Sequence, residues 1–323
     1  MSTELSRRAV MAGAASAVAV SAAMPAMAAA PMLGVSRPTH YRFKIGAFEV
    51  TTLQDGAVQI PGPHPIFGQN VSAEEVQALA TANFLPAEQL EIPFTVTLVN
   101  TGNELILFDA GNGGVTGRRP NAGLLLERLA GAGYSADQID HVVMTHFHPD
   151  HIGGLMEDGK PAFPNAAYVM PAAEFDFWSP VEKAEAEATA RIGKLVQSNV
   201  VPLAEKTTMI KPGDSVVSGI EAVDAGGHTP GHTNFHIESN GARLMLIADL
   251  CNHYVVSLQR PDWHVRFDMD KEKAVAQRKA ILGQIAADKI PFVGYHMPGS
   301  AVGFLETKGE GFGFIPASYQ LNY

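Results

Sequence analysis

The chain has 323 residues, of which 46% are hydrophobic and 17% are charged, and its formal net charge at pH 7 is −10. This length is enough for one large α/β domain or for two modest ones. The acidic balance disfavours nucleic acid as a substrate, because like charges repel. Cys251 is the only cysteine, which excludes an intrachain disulfide framework and a cysteine-rich zinc module. A metal site in this chain therefore has to be built from histidine and carboxylate ligands.

The first residues have the pattern of an export signal. Arg7 and Arg8 precede an alanine-rich, mildly apolar stretch, and residues 26–28 (A-M-A) place small side chains where a signal peptidase cleaves. We therefore expect residues 1–28 to be a twin-arginine signal peptide, followed by a linker over residues 29–40, and the protein to be periplasmic or secreted. The apolar stretch is shorter than the roughly 20 residues of a membrane-spanning helix, so no membrane anchor is expected.

Strands are predicted where apolar and polar residues alternate, beginning with residues 41–55. Two later segments, 95–109 and 234–249, share one plan: two strands flank a glycine-containing turn, and the apolar second strand ends on an aspartate, Asp109 or Asp249. This internal repeat predicts a duplicated half, with two β sheets facing each other and helices outside.

Helices are predicted between these strands, because apolar residues recur there at helical spacing. The predicted helices span residues 121–132, 181–199 and 270–287. No linker rich in serine, glycine or proline interrupts residues 41–323, which we expect to form one domain. A Pro/Gly loop at residues 60–70 carries Ile66 and Phe67, and two interpretations of it stay open: a lid over a site, or burial of its own apolar side chains.

A dense group of ligand-type side chains follows the short apolar strand at residues 139–144. Residues 145–154 read T-H-F-H-P-D-H-I-G-G. Imidazole and carboxylate without thiolate suit zinc, manganese, iron or cobalt in a catalytic site. Four ligands this close together, projecting from different sides, are more than one tetrahedral ion can conveniently use, so the motif predicts two divalent ions; these side chains are His146, His148, Asp150 and His151.

Three further ligand positions are predicted downstream. The turn G-H-T-P-G-H at residues 227–232 supplies a histidine, Asp249 ends the second hairpin, and His296 ends an apolar strand. Each position lies at a strand edge or a turn, where ligands converge on one end of a sheet sandwich.

The order of these motifs resembles the metallo-β-lactamase superfamily over nearly the whole chain after the signal. Within that superfamily the sequence is most similar to the methyl parathion hydrolase branch, whose neighbours are lactonases that cleave N-acyl homoserine lactones. The finer similarity is carried by residues 145–156, 163–166, 176–178 and 308–316. The resemblance implies an α+β fold, a four-layer αββα sandwich of two pseudo-duplicated halves, and a homodimer.

The resemblance also implies roles for single residues. One ion would be held by His146, His148 and His228 and the second by Asp150, His151 and His296, with Asp249 bridging both. Asp109 would orient a ligand imidazole, whereas His232 matches no ligand position and would support the site or pack structurally.

The predicted chemistry is hydrolysis of an ester-type bond by a hydroxide shared between two metal ions. Asp249 would bind both metal ions, and Asp150 would pass a proton to the leaving group. Phe147 and Phe304 are candidates for an apolar pocket wall, and Trp178 matches an aromatic residue that lines the leaving-group pocket of the parathion hydrolases.

Two departures from the relatives bear on the substrate. Residues 111–117 contain no aromatic side chain where parathion hydrolases carry one, and Asn252 stands where typical homoserine lactonases have a tyrosine. We therefore expect lactones or aryl esters as substrates, with phosphotriesters as a promiscuous activity. A methyl parathion hydrolase-type phosphotriesterase, an N-acyl homoserine lactone quorum-quenching lactonase and a catalytically inactive periplasmic metal- or ligand-binding protein remain the alternatives.

Overall fold

The fold is described from a computed structural model for residues 30–318. The predicted export signal at residues 1–28 lies outside the described residues. The compact unit that carries the predicted site begins at Arg37, and its first strand begins at His40. In the described range, no helix combines the length and the apolar character that crossing a membrane requires.

Sixteen strands are present in the described part of the chain, and they are numbered in chain order. They are β1 His40–Ile45, β2 Phe48–Pro61, β3 Gln89–Asn100, β4 Leu105–Phe108, β5 His141–Val143, β6 Met156–Glu157, β7 Lys160–Pro161, β8 Ala167–Pro171, β9 Thr207–Ile210, β10 Ser215–Val217, β11 Ile220–Asp224, β12 Thr233–Ser239, β13 Ala242–Ala248, β14 Phe292–Gly294, β15 Val302–Lys308 and β16 Gly311–Pro316.

The strands form two seven-stranded sheets and one small hairpin. The first sheet has the order β1-β2-β3-β4-β5-β8-β9 and the second has the order β10-β11-β12-β13-β14-β15-β16, while β6 pairs with β7. Both sheets are mixed: β4, β5, β8 and β9 run parallel in the first, and β13 and β14 run parallel in the second. The two predicted hairpins are present as β3–β4 and β12–β13.

Eight α-helices are present among residues 30–318, and α8 is the longest of them. They are α1 Ala73–Ala82, α2 Leu125–Gly131, α3 Pro149–Ile152, α4 Ala172–Trp178, α5 Glu182–Glu185, α6 Ala190–Asn199, α7 Val256–Gln259 and α8 Lys271–Asp288, with two 3₁₀ segments at Ala136–Gln138 and Val201–Lys206.

The alternation of side chains along each strand decides which layer they fill. In β4, Ile106 and Phe108 belong to the cluster between the two sheets, where the Phe108 ring lies 5.0 Å from that of Phe235. Leu107 points the other way and packs in the cluster that includes Leu125 and Leu129 of α2. Sheets thus face each other with helices outside, which confirms the predicted α+β sandwich.

Helix boundaries agree with the sequence at α8 and differ at α5 and α6. Asp270 caps α8, since its side chain accepts a hydrogen bond from the Lys273 amide. The single helix predicted over residues 181–199 is wrong, because the chain reverses between α5 and α6. The Thr189 hydroxyl donates to the Lys183 carbonyl at 2.8 Å across this turn, and Gly193 then packs directly on the Lys183 backbone.

The loop at residues 60–70 buries its own apolar side chains. Ile66 and Phe67 are buried in a third apolar cluster together with Val255, Val256 and Trp263. This packing supports the burial interpretation over a mobile lid, because opening the loop would expose two large side chains to water.

Candidate metal centre

The predicted ligands meet at one end of the two facing sheets. His146 and His148 lie on the loop after β5, and Asp150 and His151 lie in α3 immediately beyond it. Asp249 and His296 follow β13 and β14, which run parallel, so their carboxyl ends share one edge. His228 lies on the glycine-rich turn between β11 and β12.

The first group consists of three imidazoles and one carboxylate. Each of His146, His148, His228 and Asp249 offers one ligand atom, and these atoms lie within 4.8 Å of one another. The His228 Nε2 atom is 2.8 Å from His148 Nδ1 and 3.2 Å from Asp249 Oδ2. Nitrogen and oxygen atoms at this spacing can converge on one ion.

The second group lies against Asp249 of the first. Asp150, His151 and His296 also offer ligand atoms within 4.8 Å of one another. Asp249 Oδ1 lies 3.2 Å from His151 Nε2, and Asp249 Oδ2 lies 3.2 Å from His296 Nε2. The Asp249 carboxylate therefore stands between the two groups, as expected of a bridging ligand.

These donor atoms fit two divalent cations. His146 Nε2, His151 Nε2 and Asp249 Oδ1 are buried and have no hydrogen-bond partner among the described residues. Buried polar atoms without a partner are costly, and three in one place indicate that a bound ion satisfies them. Burial also lowers the pKa of His148 to about 3, so this imidazole is neutral near pH 7, the form in which a histidine ligates a metal ion.

A carboxylate orients His151 from behind. Asp109 Oδ2 accepts a hydrogen bond from His151 Nδ1 at 2.8 Å, and Asp109 also accepts from the amide and the hydroxyl of Thr145. This places Asp109 where the sequence predicts it, behind a ligand. The hydrogen bond fixes the tautomer that leaves Nε2 free for the ion.

A second carboxylate orients His228 in the same way, and the sequence did not predict it. Asp268 Oδ1 accepts from His228 Nδ1 at 2.8 Å, and Asp268 Oδ2 accepts from Arg278 Nη2 at 2.7 Å. Arg278 is fully buried and also donates to the carbonyls of Leu250, Pro261 and Trp263. Asp268 lies 40 positions from His228, so local spacing carries no signal for this contact.

His232 is not a ligand, because both of its ring nitrogens are used by the backbone. Its Nδ1 donates to the Ala225 carbonyl at 3.0 Å, and its Nε2 accepts the Asp249 amide at 3.1 Å. The side chain thus anchors the residue that bridges the two groups.

Tyr295 supports the second group and was also missed. Its hydroxyl donates to the Asp150 carbonyl at 2.5 Å, and its ring stacks on His151 with a centroid distance of 3.9 Å. Its neighbour His296 donates from Nδ1 to the Pro93 carbonyl at 2.7 Å, which leaves Nε2 for the site.

Glu174 joins the two ligand loops. Its Oε1 accepts from the Phe147 amide, between His146 and His148, and its Oε2 accepts from the Gly231 amide at 2.8 Å. Trp178 Nε1 donates to Glu174 Oε1 at 3.0 Å. Burial raises the pKa of Glu174 and these hydrogen bonds act against that shift.

The four predicted pocket residues do not line the cleft beside the site. Trp178 is 1% exposed and is held by Glu174, and Phe147 is fully buried in the apolar cluster under the first sheet. Asn252 is 5% exposed, and its amide donates to Asp249 Oδ2 at 2.9 Å, so it orients the bridging carboxylate. Phe304 packs against the central core. For the three aromatic residues the sequence could not separate the two positions, because aromatic side chains are common both in a core and in a pocket wall.

The cleft itself is formed by other parts of the chain. It has a volume of about 380 Å³, and its lining includes His296 of the second group, so it opens onto the candidate metal centre. Its apolar walls include Leu85, Leu90 and Val256. Arg37 and Glu91 also line it and pair with each other.

Comparison with known proteins agrees with the fold and the site. The metallo-β-lactamase superfamily pattern matches residues 94–284, more than half of the chain. An N-acyl homoserine lactonase from Bacillus sp is 25% identical over 180 residues, which are 50% of this chain and 65% of the relative. The match thus spans less than two thirds of that curated relative.

Two solved structures are similar along most of their length. AidC, a dizinc quorum-quenching lactonase in complex with a product N-hexanoyl-L-homoserine, is 31% identical, with a TM-score of 0.80 over 87% of this chain and 98% of that one. The hydrolase AbOPH of the β-lactamase superfamily is 24% identical, with a TM-score of 0.79 over 88% and 99%, and supports the fold alone. These relatives show the superfamily and do not assign the chain to one of its branches. The chain belongs to the metallo-β-lactamase superfamily.

Proposed function

We propose that the protein is a dinuclear metal-dependent hydrolase that opens lactones, with N-acyl homoserine lactones as its substrate class. The observation that carries this proposal is the pair of ligand groups that share Asp249. The similarity to a dizinc lactonase supports the substrate class. The identity of the ions stays open, because histidine and carboxylate ligands accept zinc, manganese, iron and cobalt.

When bound, two divalent ions supply Lewis-acid activation of water and of the substrate carbonyl. The residues of the chain then hold the substrate and move its protons. Water adds its oxygen to the acyl carbon, the bond to the ring oxygen breaks, and that oxygen takes up a proton, so the product is a hydroxy acid. Asp150 is the ligand carboxylate that can carry this proton, because its side chain is 13% exposed and that of Asp249 is 4% exposed.

The cleft suits an acyl chain better than a flat aryl phosphotriester. Its apolar lining consists of Ala80, Leu85, Leu90, Val256 and five prolines, and Tyr254 is the only phenol or indole ring among its lining residues. We therefore propose lactones with an aliphatic tail as the main substrates, and aryl ester and organophosphate hydrolysis as side activities.

A substrate panel tests the proposal. Purified protein is assayed with N-acyl homoserine lactones, dihydrocoumarin, naphthyl acetate and methyl parathion, before and after removal of metal by a chelator. We expect the highest kcat/KM for the homoserine lactones, loss of activity on chelation and recovery on adding zinc or manganese. A preference for methyl parathion, or lactone opening that survives chelation, would contradict the proposal.

We also propose export through the twin-arginine route. Replacing both Arg7 and Arg8 with lysine keeps the charge and changes the side chains that the export machinery reads. We expect the double variant to stay in the cytoplasm at full length, as measured by cell fractionation. Periplasmic delivery of the double variant at the wild-type level would contradict export by this route.

A further inference from the structure

We propose that His253 is the hydrogen-bond donor with which the cleft recognises a second carbonyl group of the substrate, outside the bond that is cleaved. The amide carbonyl of an N-acyl homoserine lactone is a group of this kind. The inference rests on the proposed lactonase function and deepens it, because it separates amide-bearing lactones from plain alkyl lactones.

The backbone fixes the tautomer of His253. The residue lies just before α7, and its Nδ1 accepts hydrogen bonds from the amides of Val255 at 3.0 Å and Val256 at 3.3 Å. A ring nitrogen that accepts hydrogen bonds carries no proton, so in the neutral ring the proton is on Nε2. His253 is therefore a donor on the side of the ring away from α7.

The ring is also held in place and kept neutral. It stacks on Tyr254 with a centroid distance of 4.9 Å and an interplanar angle of 19°, and it meets the edge of Phe67 at 5.7 Å. Burial lowers the pKa of His253 to about 4, so the ring is uncharged near neutral pH. A neutral donor suits a carbonyl oxygen and does not select for an anion.

The Nε2 donor has no partner within the part of the chain that the structure describes. The hydrogen bonds of the His253 ring all involve Nδ1, and Nε2 is not among the fully enclosed unpaired atoms. The residue is 8% exposed and lines the cleft. A molecule in the cleft can therefore reach this donor.

His253 lines the same cleft as His296, which belongs to the candidate metal centre. Of the polar side chains that line the cleft, only His253 and His296 are buried, and His296 belongs to the second ligand group. The cleft also has exposed polar side chains such as Gln59, Gln89 and Glu91, but a buried polar group is held in one position and can fix the orientation of a ligand. In an N-acyl homoserine lactone the amide nitrogen is bonded to the ring carbon next to the ester carbonyl. One molecule thus offers an ester carbonyl at the His296 end and an amide carbonyl for His253.

The test compares two lactones and two variants. N-octanoyl-L-homoserine lactone carries the amide, and γ-dodecalactone carries an alkyl chain without it. His253→Asn keeps an oxygen that accepts the α7 amides, as asparagine does at helix starts, but its shorter side chain withdraws the donor. His236→Asn on β12 is the matched control, because His236 does not line the cleft.

Zinc-loaded His253→Asn is expected to lose about three- to tenfold in kcat/KM on N-octanoyl-L-homoserine lactone, the effect of one neutral hydrogen bond. Its kcat/KM on γ-dodecalactone should change less than about twofold on the same reasoning, and His236→Asn should match wild type on both. An equal loss on the two lactones, or no loss on either, would overturn the inference and leave His253 a packing residue.

A wild-type protein that opens neither lactone would contradict the proposed function and not yet the role of His253. In that case the dissociation constants of the two lactones are measured by calorimetry for wild type and His253→Asn. Weaker binding of the amide-bearing lactone alone supports the donor role. Equal binding changes, including no binding of either lactone by the wild-type protein, overturn it.

Discussion

At the scale of single residues, the candidate ligands are held by carboxylates that are not ligands themselves. Asp109 orients His151 and Asp268 orients His228, each through a 2.8 Å hydrogen bond to Nδ1. Each bond leaves Nε2 free on the side that faces the other ligands. Partners of this kind set both the tautomer and the direction of a ligand imidazole.

Asp268 also neutralises a buried charge, which allows a prediction. Asp268→Asn leaves Arg278 as a buried cation without its carboxylate, and breaking a buried pair in this way costs about 3–5 kcal/mol. We expect the free energy of unfolding, measured with a denaturant, to fall by about that amount. The same exchange in an exposed pair is the control: Asp288→Asn, opposite Arg243, should change it by less than about 1 kcal/mol. Equal losses in the two variants would show that burial of the Arg278 pair contributes nothing.

The sequence predicted Trp178 as a wall of the substrate pocket, whereas its contacts in the structure predict an effect on stability. Trp178→Phe removes the indole donor to Glu174 while keeping most of the ring, so the free energy of unfolding should fall by about 1–2 kcal/mol. KM for lactones should stay unchanged, because Trp178 does not line the cleft. Trp263→Phe, a second buried tryptophan away from Glu174, controls for the loss of ring volume. A change in KM limited to Trp178→Phe would restore its predicted role as a pocket wall.

At the scale of elements, the glycine-rich turn at residues 227–232 packs directly against α4. A Cβ atom at Gly231 would lie 2.2 Å from the backbone nitrogen of Glu174, which is too close for any real contact. The turn carries His228, so this close approach sets the position of a ligand.

Gly231→Ala should therefore push the turn away from α4. We expect a loss of about 1–3 kcal/mol in the free energy of unfolding, as for other over-packed sites, together with less zinc bound per chain. Gly283→Ala in α8 is the control, since a Cβ atom there would meet nothing within 4 Å and alanine favours a helix by about 0.5–1 kcal/mol. A Gly231→Ala protein that folds and binds zinc like the wild type would show that the turn has room to move.

Strands and helices could be predicted where residues close together in the sequence determine them. Apolar strands that end on Asp109 and Asp249, and the capped start of α8, follow from residues that are neighbours in sequence. The reversal between α5 and α6 could not be predicted, because it depends on a glycine that packs against another helix.

At the scale of the whole molecule, the ligands could be predicted and the cleft could not. Asp249 and His296 follow neighbouring parallel strands, and the other ligands lie on the segments that follow β5 and β11, so the fold brings distant ligands together. The cleft draws on segments spread over the chain, from residue 37 to residue 299, and no spacing rule connects them. Trp178 and Phe147 have side chains of a type that lines pockets, but both are buried in the core.

The same arrangement predicts how many ions the molecule binds. Two ligand groups that share one carboxylate should hold two ions per chain, and the bridging position makes the two sites depend on one residue. Asp249→Asn replaces one carboxylate oxygen with an amide nitrogen and should weaken the binding of both ions. Asp214→Asn, on an exposed turn, should leave the binding of both ions unchanged.

The most direct test is the zinc content of metal-free protein titrated with zinc and separated from unbound ion. The structure predicts two zinc ions per chain for the wild type and for Asp214→Asn, and fewer than two for Asp249→Asn. One ion or none in the wild type, or two tightly bound ions in Asp249→Asn, would contradict a dinuclear centre bridged by Asp249.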